Sequence, residues 1–197
     1  NCEKTLQRTM YNIFCLKNRK LNWPSSPDKL RAEQPKPKKP RRDQKRAIAD
    51  VLRGFKSNDR GQLIRACGTG KTLIGLRVAE AMNSQRTLVL VPSLSLVSQI
   101  LSDWTKDGLR PFRFLPVCSD ETIGGEDHLV ANVSQLGVPA TTDPAEIAQF
   151  MRGSGTRVIF STYQSSPKIA LAFKKHRVQP FDLVIADEAH RCAGVEA

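Results

Sequence analysis

Several things are scarce in this sequence, and each scarcity excludes something. It has no run of about 18 apolar residues, so no membrane span is expected. Its cysteines number only five, an odd count with no CxxC pair, which argues against a disulfide framework and against a zinc ribbon. A reducing, cytoplasmic setting is therefore expected. Cys67 and Cys118 read as small apolar filling at strand ends. His128 and His176 stand isolated, without metal-ligand spacing around either. The first twenty residues, "NCEKTLQRTMYNIFCLKNRK", lack an apolar stretch followed by small residues, so no secretory leader is expected. Acids are short as well: 19 Asp+Glu face 31 Lys+Arg, leaving a net charge of +12.

That surplus is uneven. Residues 1–46 hold 14 Lys+Arg against 4 Asp+Glu, or +10, and the remaining residues carry only +2. It peaks in "PKPKKPRR", Pro35 to Arg42, where alternating prolines keep the chain extended and the lysines keep it solvated. Two readings stay open for this run, a plain basic linker and a contact for nucleic acid phosphates. Apolar spacing predicts a helix over 4–20, and the Pro- and Ser-rich stretch around Trp23 reads as a linker with Trp23 as a surface anchor. The expected organisation is thus a basic helix and linker over 1–40 and one domain over 41–197. At 40% hydrophobic, the chain has enough apolar material for a core.

A helix is predicted over 43–56, with Ala47, Ile48, Val51, Leu52 and Phe55 on one face. From there strands and helices alternate. "QLIRAC", "RTLVLV", "FRFLPVC", "RVIFST" and "FDLVIADEAH" read as strands. The helices between them are "KTLIGLRVAEAM", a segment opened by Pro92, one capped by Asp143 with Pro144 at its first position, and "SPKIALAFKKH". "KKHR" reads as an exposed last helical turn and the acidic "SDETIGGEDH" as a solvated loop. This alternation implies an α/β fold with a parallel, doubly wound sheet. Ligands in such sheets sit beyond the carboxyl ends of strands. Both "ACGTGKT" and "DEAH" follow strands, so both should lie on that edge.

The loop "ACGTGKT" comprises Ala66, Cys67, Gly68, Thr69, Gly70, Lys71 and Thr72. Its glycines allow successive N–H groups to point at an anion, and the following helix adds its positive end. Lys71 is placed to reach the β- and γ-phosphates of a nucleotide, and Thr72 to hold a magnesium ion. The alternative is a Gly-rich turn that merely connects two elements. The full phosphate-loop pattern asks for a glycine where Arg65 stands, so only its second half matches. In "LVIADEAHR" an apolar strand delivers two acids at its tip. Asp187 suits the magnesium, and Glu188 is the candidate to orient and deprotonate the attacking water.

With these residues in place, the sequence resembles the first RecA-like domain of superfamily 2 helicases and translocases, a P-loop NTPase fold. The resemblance spans residues 41–191. It implies ATP and Mg2+ as cofactors. "RRDQKRAI" is similar to the Q motif, with Gln44 at the adenine-reading glutamine, although Arg42 and Asp43 stand where the family has Pro and an aromatic residue. "LVLVPSLSLVSQ" resembles motif Ia, which implies nucleic acid contacts at Pro92 and Ser93. "VIFSTYQS" resembles motif Ib, with Thr162 as the phosphate contact. "DEAH" resembles motif II, in which His190 couples hydrolysis to domain movement. The wording "ACGTGKT…LVPSLSL…STYQSS…ADEAHRCAG" is also similar to the motors of restriction enzymes of the type ISP group, with type I and type III subunits as relatives.

The resemblance places a Ser/Thr-Ala-Thr motif and a second RecA-like domain, with its arginine finger, beyond residue 197. The first residue is not Met and the sequence stops at "RCAGVEA", so a piece of a longer chain is expected. Alone it should bind nucleotide weakly and hydrolyse it poorly. The function expected of the parent is an ATP-driven translocase or helicase acting on double-stranded DNA, in a restriction-modification enzyme. Alternatives are an RNA helicase of the same superfamily, a module that only binds nucleotide or nucleic acid, and another P-loop enzyme. A GTPase is disfavoured by the lack of an Asn-Lys-x-Asp guanine reader.

Overall fold

Apolar runs of four to six residues alternating with helices have one economical solution: a parallel sheet with helices on both faces. The computed structural model describes residues 36–119 and 138–189. The predicted helix over 4–20, Trp23, His128, His190 and most of the acidic 119–128 stretch lie outside the described residues.

Helix α1 (Arg42–Gly54) leads to α2 (Lys71–Ala81), then β1 (Arg86–Val91), α3 (Leu94–Asp107), β2 (Arg113–Val117), α4 (Pro144–Arg152), β3 (Arg157–Thr162), α5 (Ser166–His176) and β4 (Leu183–Ala186). The four strands are parallel, in the order β2-β3-β1-β4. Arg86, Arg113 and Arg157, the first residues of β1, β2 and β3, lie in register.

Alternation along β1, β2 and β3 feeds two cores, while β4 gives Leu183 and Ile185 to the first and leaves Val184 exposed. Val89, Val91, Val158 and Phe160 face α2 and α3, together with Ile74, Leu76, Val97 and Leu101. Leu88, Ile159 and Val117 face the opposite way, onto Ile147 and Met151 of α4 and Ile169 and Ala172 of α5. Trp104 meets Phe160 edge to face at 5.5 Å and Phe112 at 6.3 Å, an arrangement that suits the ring quadrupoles. The apolar face of α1, from Ala47 to Phe55, closes over the first core. Pro116 is tolerated in β2 because that strand lies at the sheet edge.

Helix ends follow their local chemistry. The Asp143 carboxylate accepts the Ala145 N–H at 3.0 Å, with Pro144 opening α4 as predicted. Pro92 does not open α3; Ser93 caps it, accepting the Leu96 N–H.

One predicted strand is absent. Residues 62–67 pair with none of the four strands, and Ile64 is 88% exposed. An apolar run becomes a strand only against a neighbouring edge. Cys67 is consequently exposed instead of filling a strand end, whereas Cys118 is buried. A cleft of about 660 Å³ opens between α1 and residues 60–65. No helix among the described residues is long and apolar enough to cross a membrane.

Candidate functional site

Parallel strands end on one edge, and that edge gathers the residues singled out by the sequence. The glycine loop occupies residues 66–70 and runs directly into α2. Gly68 and Gly70 have φ of +74° and +80°, in the left-handed region that favours glycine. At Gly70 a second constraint applies, because a Cβ there would overlap the Gln44 amide nitrogen.

Gln44 is 3% exposed. Its Nε2 donates to the Thr69 carbonyl at 3.0 Å, and its Oε1 accepts the Arg41 backbone N–H at 2.9 Å. The second bond is the reciprocal half of a capping box, since Gln44 is the third residue of α1. In this structure the amide expected to read adenine ties α1 to the loop. Arg41 adds a second donor, Nη2 to the same Thr69 carbonyl at 3.0 Å. Thr69 Oγ1 donates to the Ala66 carbonyl at 2.7 Å and tightens the turn.

Arg65, at the position where the loop pattern asks for glycine, is ion-paired through Nη2 with Asp43 of α1. Its Nη1 also donates to the Asp43 carbonyl at 3.2 Å. Desolvation pushes the Asp43 carboxyl up, but the hydrogen bonds and charges of Arg41 and Arg65 outweigh it and hold it below the ordinary range. The departure from the pattern is thus a structural tie between helix and loop.

The acids of "DEAH" arrive from β4. Lys71 Nζ lies 3.1 Å from Glu188 Oε1, joining residues 117 apart in sequence. The hydrogen bond to Glu188 raises the Lys71 pKa; burial opposes it, and the charges of Glu188, Cys67 and Asp187 add to the rise. The Asp187 N–H donates to the Leu90 carbonyl at 2.8 Å, and its Oδ1 accepts the Glu188 N–H at 3.1 Å. Glu188 has φ of +52°, uncommon for a residue with a side chain. His190 lies outside the described residues.

Thr72 is the second residue of α2. Its hydroxyl and the Asp187 carboxylate are hard oxygen donors, the kind magnesium takes. No cluster of three or more His, Cys, Asp or Glu that could hold a metal exists among the described residues. A pair of oxygen donors suits an ion whose other ligands are phosphates and water.

The two turns expected to meet nucleic acid follow β1 and β3 on this edge. Pro92 and Ser93 are half-buried, and Ser93 Oγ is 2.9 Å from Ser95 Oγ. Thr162 is fully buried, with Oγ1 3.1 Å from Ser165 Oγ. The Thr162 hydroxyl therefore orders the turn in this structure instead of facing a ligand, and Gln164 is its exposed side chain. Sequence reasoning passed over Tyr163, whose hydroxyl donates to the Asp187 carbonyl at 2.7 Å. The only signal for it was its place inside "STYQS".

The family described as "Type III restriction enzyme, res subunit" matches residues 37–196. The "Probable helicase A859L" of African swine fever virus, strain Badajoz 1971 Vero-adapted, is 32% identical over 151 residues, 77% of this chain and 16% of the relative. The corresponding protein of isolate Tick/Malawi/Lil 20-1/1983 is 31% identical over the same length and shares. Among solved structures, the "ATP-dependent Type ISP restriction-modification enzyme LlaBIII bound to DNA" superposes with a TM-score of 0.71 at 38% identity, covering 82% of this chain and 11% of that one. A nuclease-deletion mutant of the type ISP enzyme LlaGI, in complex with a DNA substrate mimic, gives 0.64 at 36% identity, covering 78% and 15%. The chain spans about a sixth of the length of these curated relatives.

Proposed function

From its membership of the type III restriction enzyme res subunit family, as a superfamily 2 helicase RecA-like domain, we propose that the chain is the ATP-binding part of a motor that moves on double-stranded DNA in a restriction-modification enzyme. The observation that carries this reading is the 3.1 Å approach of Lys71 to Glu188. A phosphate-loop cation and a water-activating acid converge on one edge of the sheet, with Thr72 and Asp187 as oxygen donors from the same two elements.

The chain's own residues then have distinct tasks. The N–H groups of residues 66–70 and the amino end of α2 receive the phosphates. Lys71 exchanges Glu188 for a phosphate oxygen, which releases the carboxylate to orient water and take its proton. Gln44 and Arg41 both donate to the Thr69 carbonyl and so fix that peptide of the loop. Thr72 and Asp187 would hold the magnesium ion, which supplies charge neutralisation at the phosphates when bound. The turns at 92–93 and 162–165 offer contacts to phosphate, so binding is sequence-independent.

The test is ATP hydrolysis by the full-length protein with and without duplex DNA, beside Lys71→Ala. Stimulation by DNA that falls about a hundredfold or more in the variant is the expected outcome, the scale of losing a preorganised charge at the phosphates. Turnover indifferent to any nucleic acid would sink the motor reading, and stimulation by RNA alone would move it to RNA helicases.

A further inference from the structure

The turn after β3 and the acids after β4 are separated by an intervening strand, because β1 lies between β3 and β4. Tyr163 crosses that gap. Its backbone N–H donates to the Val91 carbonyl at the end of β1 at 3.0 Å, and its hydroxyl reaches the Asp187 carbonyl at 2.7 Å. One residue thus touches the ends of all three strands that border the site.

The peptide it grips joins Asp187 to Glu188. That peptide is held on both sides: its carbonyl by Tyr163, and its N–H by the Asp187 carboxylate. Its orientation decides where Asp187 Oδ1 points and sets the uncommon φ of Glu188. A hydrogen bond to this carbonyl therefore acts on both carboxylates at once.

The other end of the connection is stiff. Thr162 Oγ1 contacts Ser165 Oγ at 3.1 Å, and the Ser165 N–H donates to the Thr162 carbonyl at 3.1 Å. The Ser166 N–H and Oγ both donate to the Tyr163 carbonyl, at 3.2 and 2.7 Å. Thr162 and Ser165 are buried, while Gln164 is exposed. A ligand pressing on Gln164 meets a turn with little internal give, so its displacement passes to Tyr163.

We propose that Tyr163 is the positioning residue through which nucleic acid seated on the 162–165 turn sets the Asp187–Glu188 peptide, and so couples DNA contact to ATP hydrolysis. The inference rests on the motor reading above and adds a route to it.

The experiment compares full-length wild type with Tyr163→Phe, which keeps the ring and removes only the hydroxyl. ATP hydrolysis is measured without DNA and with saturating duplex DNA, alongside DNA affinity and melting temperature. The expected result is a ratio of stimulated to basal rate reduced about fivefold, the worth of one hydrogen bond, with DNA affinity and melting temperature held. A hydroxyl that only stabilised the fold would lower the two rates together and leave their ratio intact, which would overturn the proposal. An unchanged variant would overturn it equally. A wild type that ignores DNA would instead refute the motor reading, a failure distinguishable from the other two.

Discussion

Asp43 illustrates how a surface carboxylate can matter to a neighbouring loop. It receives Arg41 and Arg65, one flanking α1 and the other leading into the glycine loop. Its folded pKa lies below 3.8, so the tie contributes stability that is fully present above that value and is lost as pH falls through the folded pKa. The expected outcome is an acid-induced loss of nucleotide affinity below about pH 4 that is absent in Asp43→Asn, where affinity is already reduced at neutral pH. Titration of a fluorescent nucleotide across pH 3 to 8 would read it. Lys71 has the opposite sign: its raised pKa contributes stability that is present below 10.5 and lost only as pH rises through the higher folded value. Lys71 therefore stays charged at every physiological pH.

At the scale of elements, two arginines that begin neighbouring strands, Arg86 and Arg157, reach the end of α4. Arg86 Nε reaches the Met151 carbonyl at 3.4 Å, and Arg157 Nη2 donates to the Ser154 carbonyl at 3.0 Å. Cations at a helix carboxyl end oppose its negative pole. Arg157 is nearly buried, 4.9 Å from the centre of the Phe150 ring, and its Nε has no hydrogen-bond partner among the described residues. Burial, and after it the charges of Arg113 and Arg86, push its pKa down. Gly153 makes room for it, since a Cβ there would occupy the place of the guanidinium. Gly153→Ala should lower stability by about 1–3 kcal/mol through overpacking, measured by urea unfolding. In an Arg157→Ala background the same change should cost little, because the two side chains share one space.

For the whole molecule, charge is the property with a long reach. The net charge is +12, with +10 of it in residues 1–46. Binding carried by phosphate contacts weakens linearly in log affinity against log salt. Removal of residues 1–40 should flatten that slope and weaken DNA binding at low salt, if the basic run holds phosphates and not only links. DNA titrations between 50 and 200 mM salt would decide it, and an unaltered slope would leave the run as a linker.

The sequence by itself determined what chemistry is present and in what order: a glycine loop with Lys71 and Thr72, acids at the tip of an apolar strand, and strands alternating with helices. Those features are local, written in residue type and short-range spacing, so four of the five predicted strands and the helices of the described residues stand close to where periodicity put them. Tertiary structure decided the rest, because it depends on partners distant in sequence. Residues 62–67 have a strand's composition but no described neighbour to pair with, and so are not a strand. The Gln44 amide meets the Thr69 carbonyl, and the Thr162 hydroxyl turns inward, only because the chain is folded around them. Tyr163 reaches Asp187 across β1 because the strand order is β3-β1-β4, and no spacing along the chain encodes that adjacency.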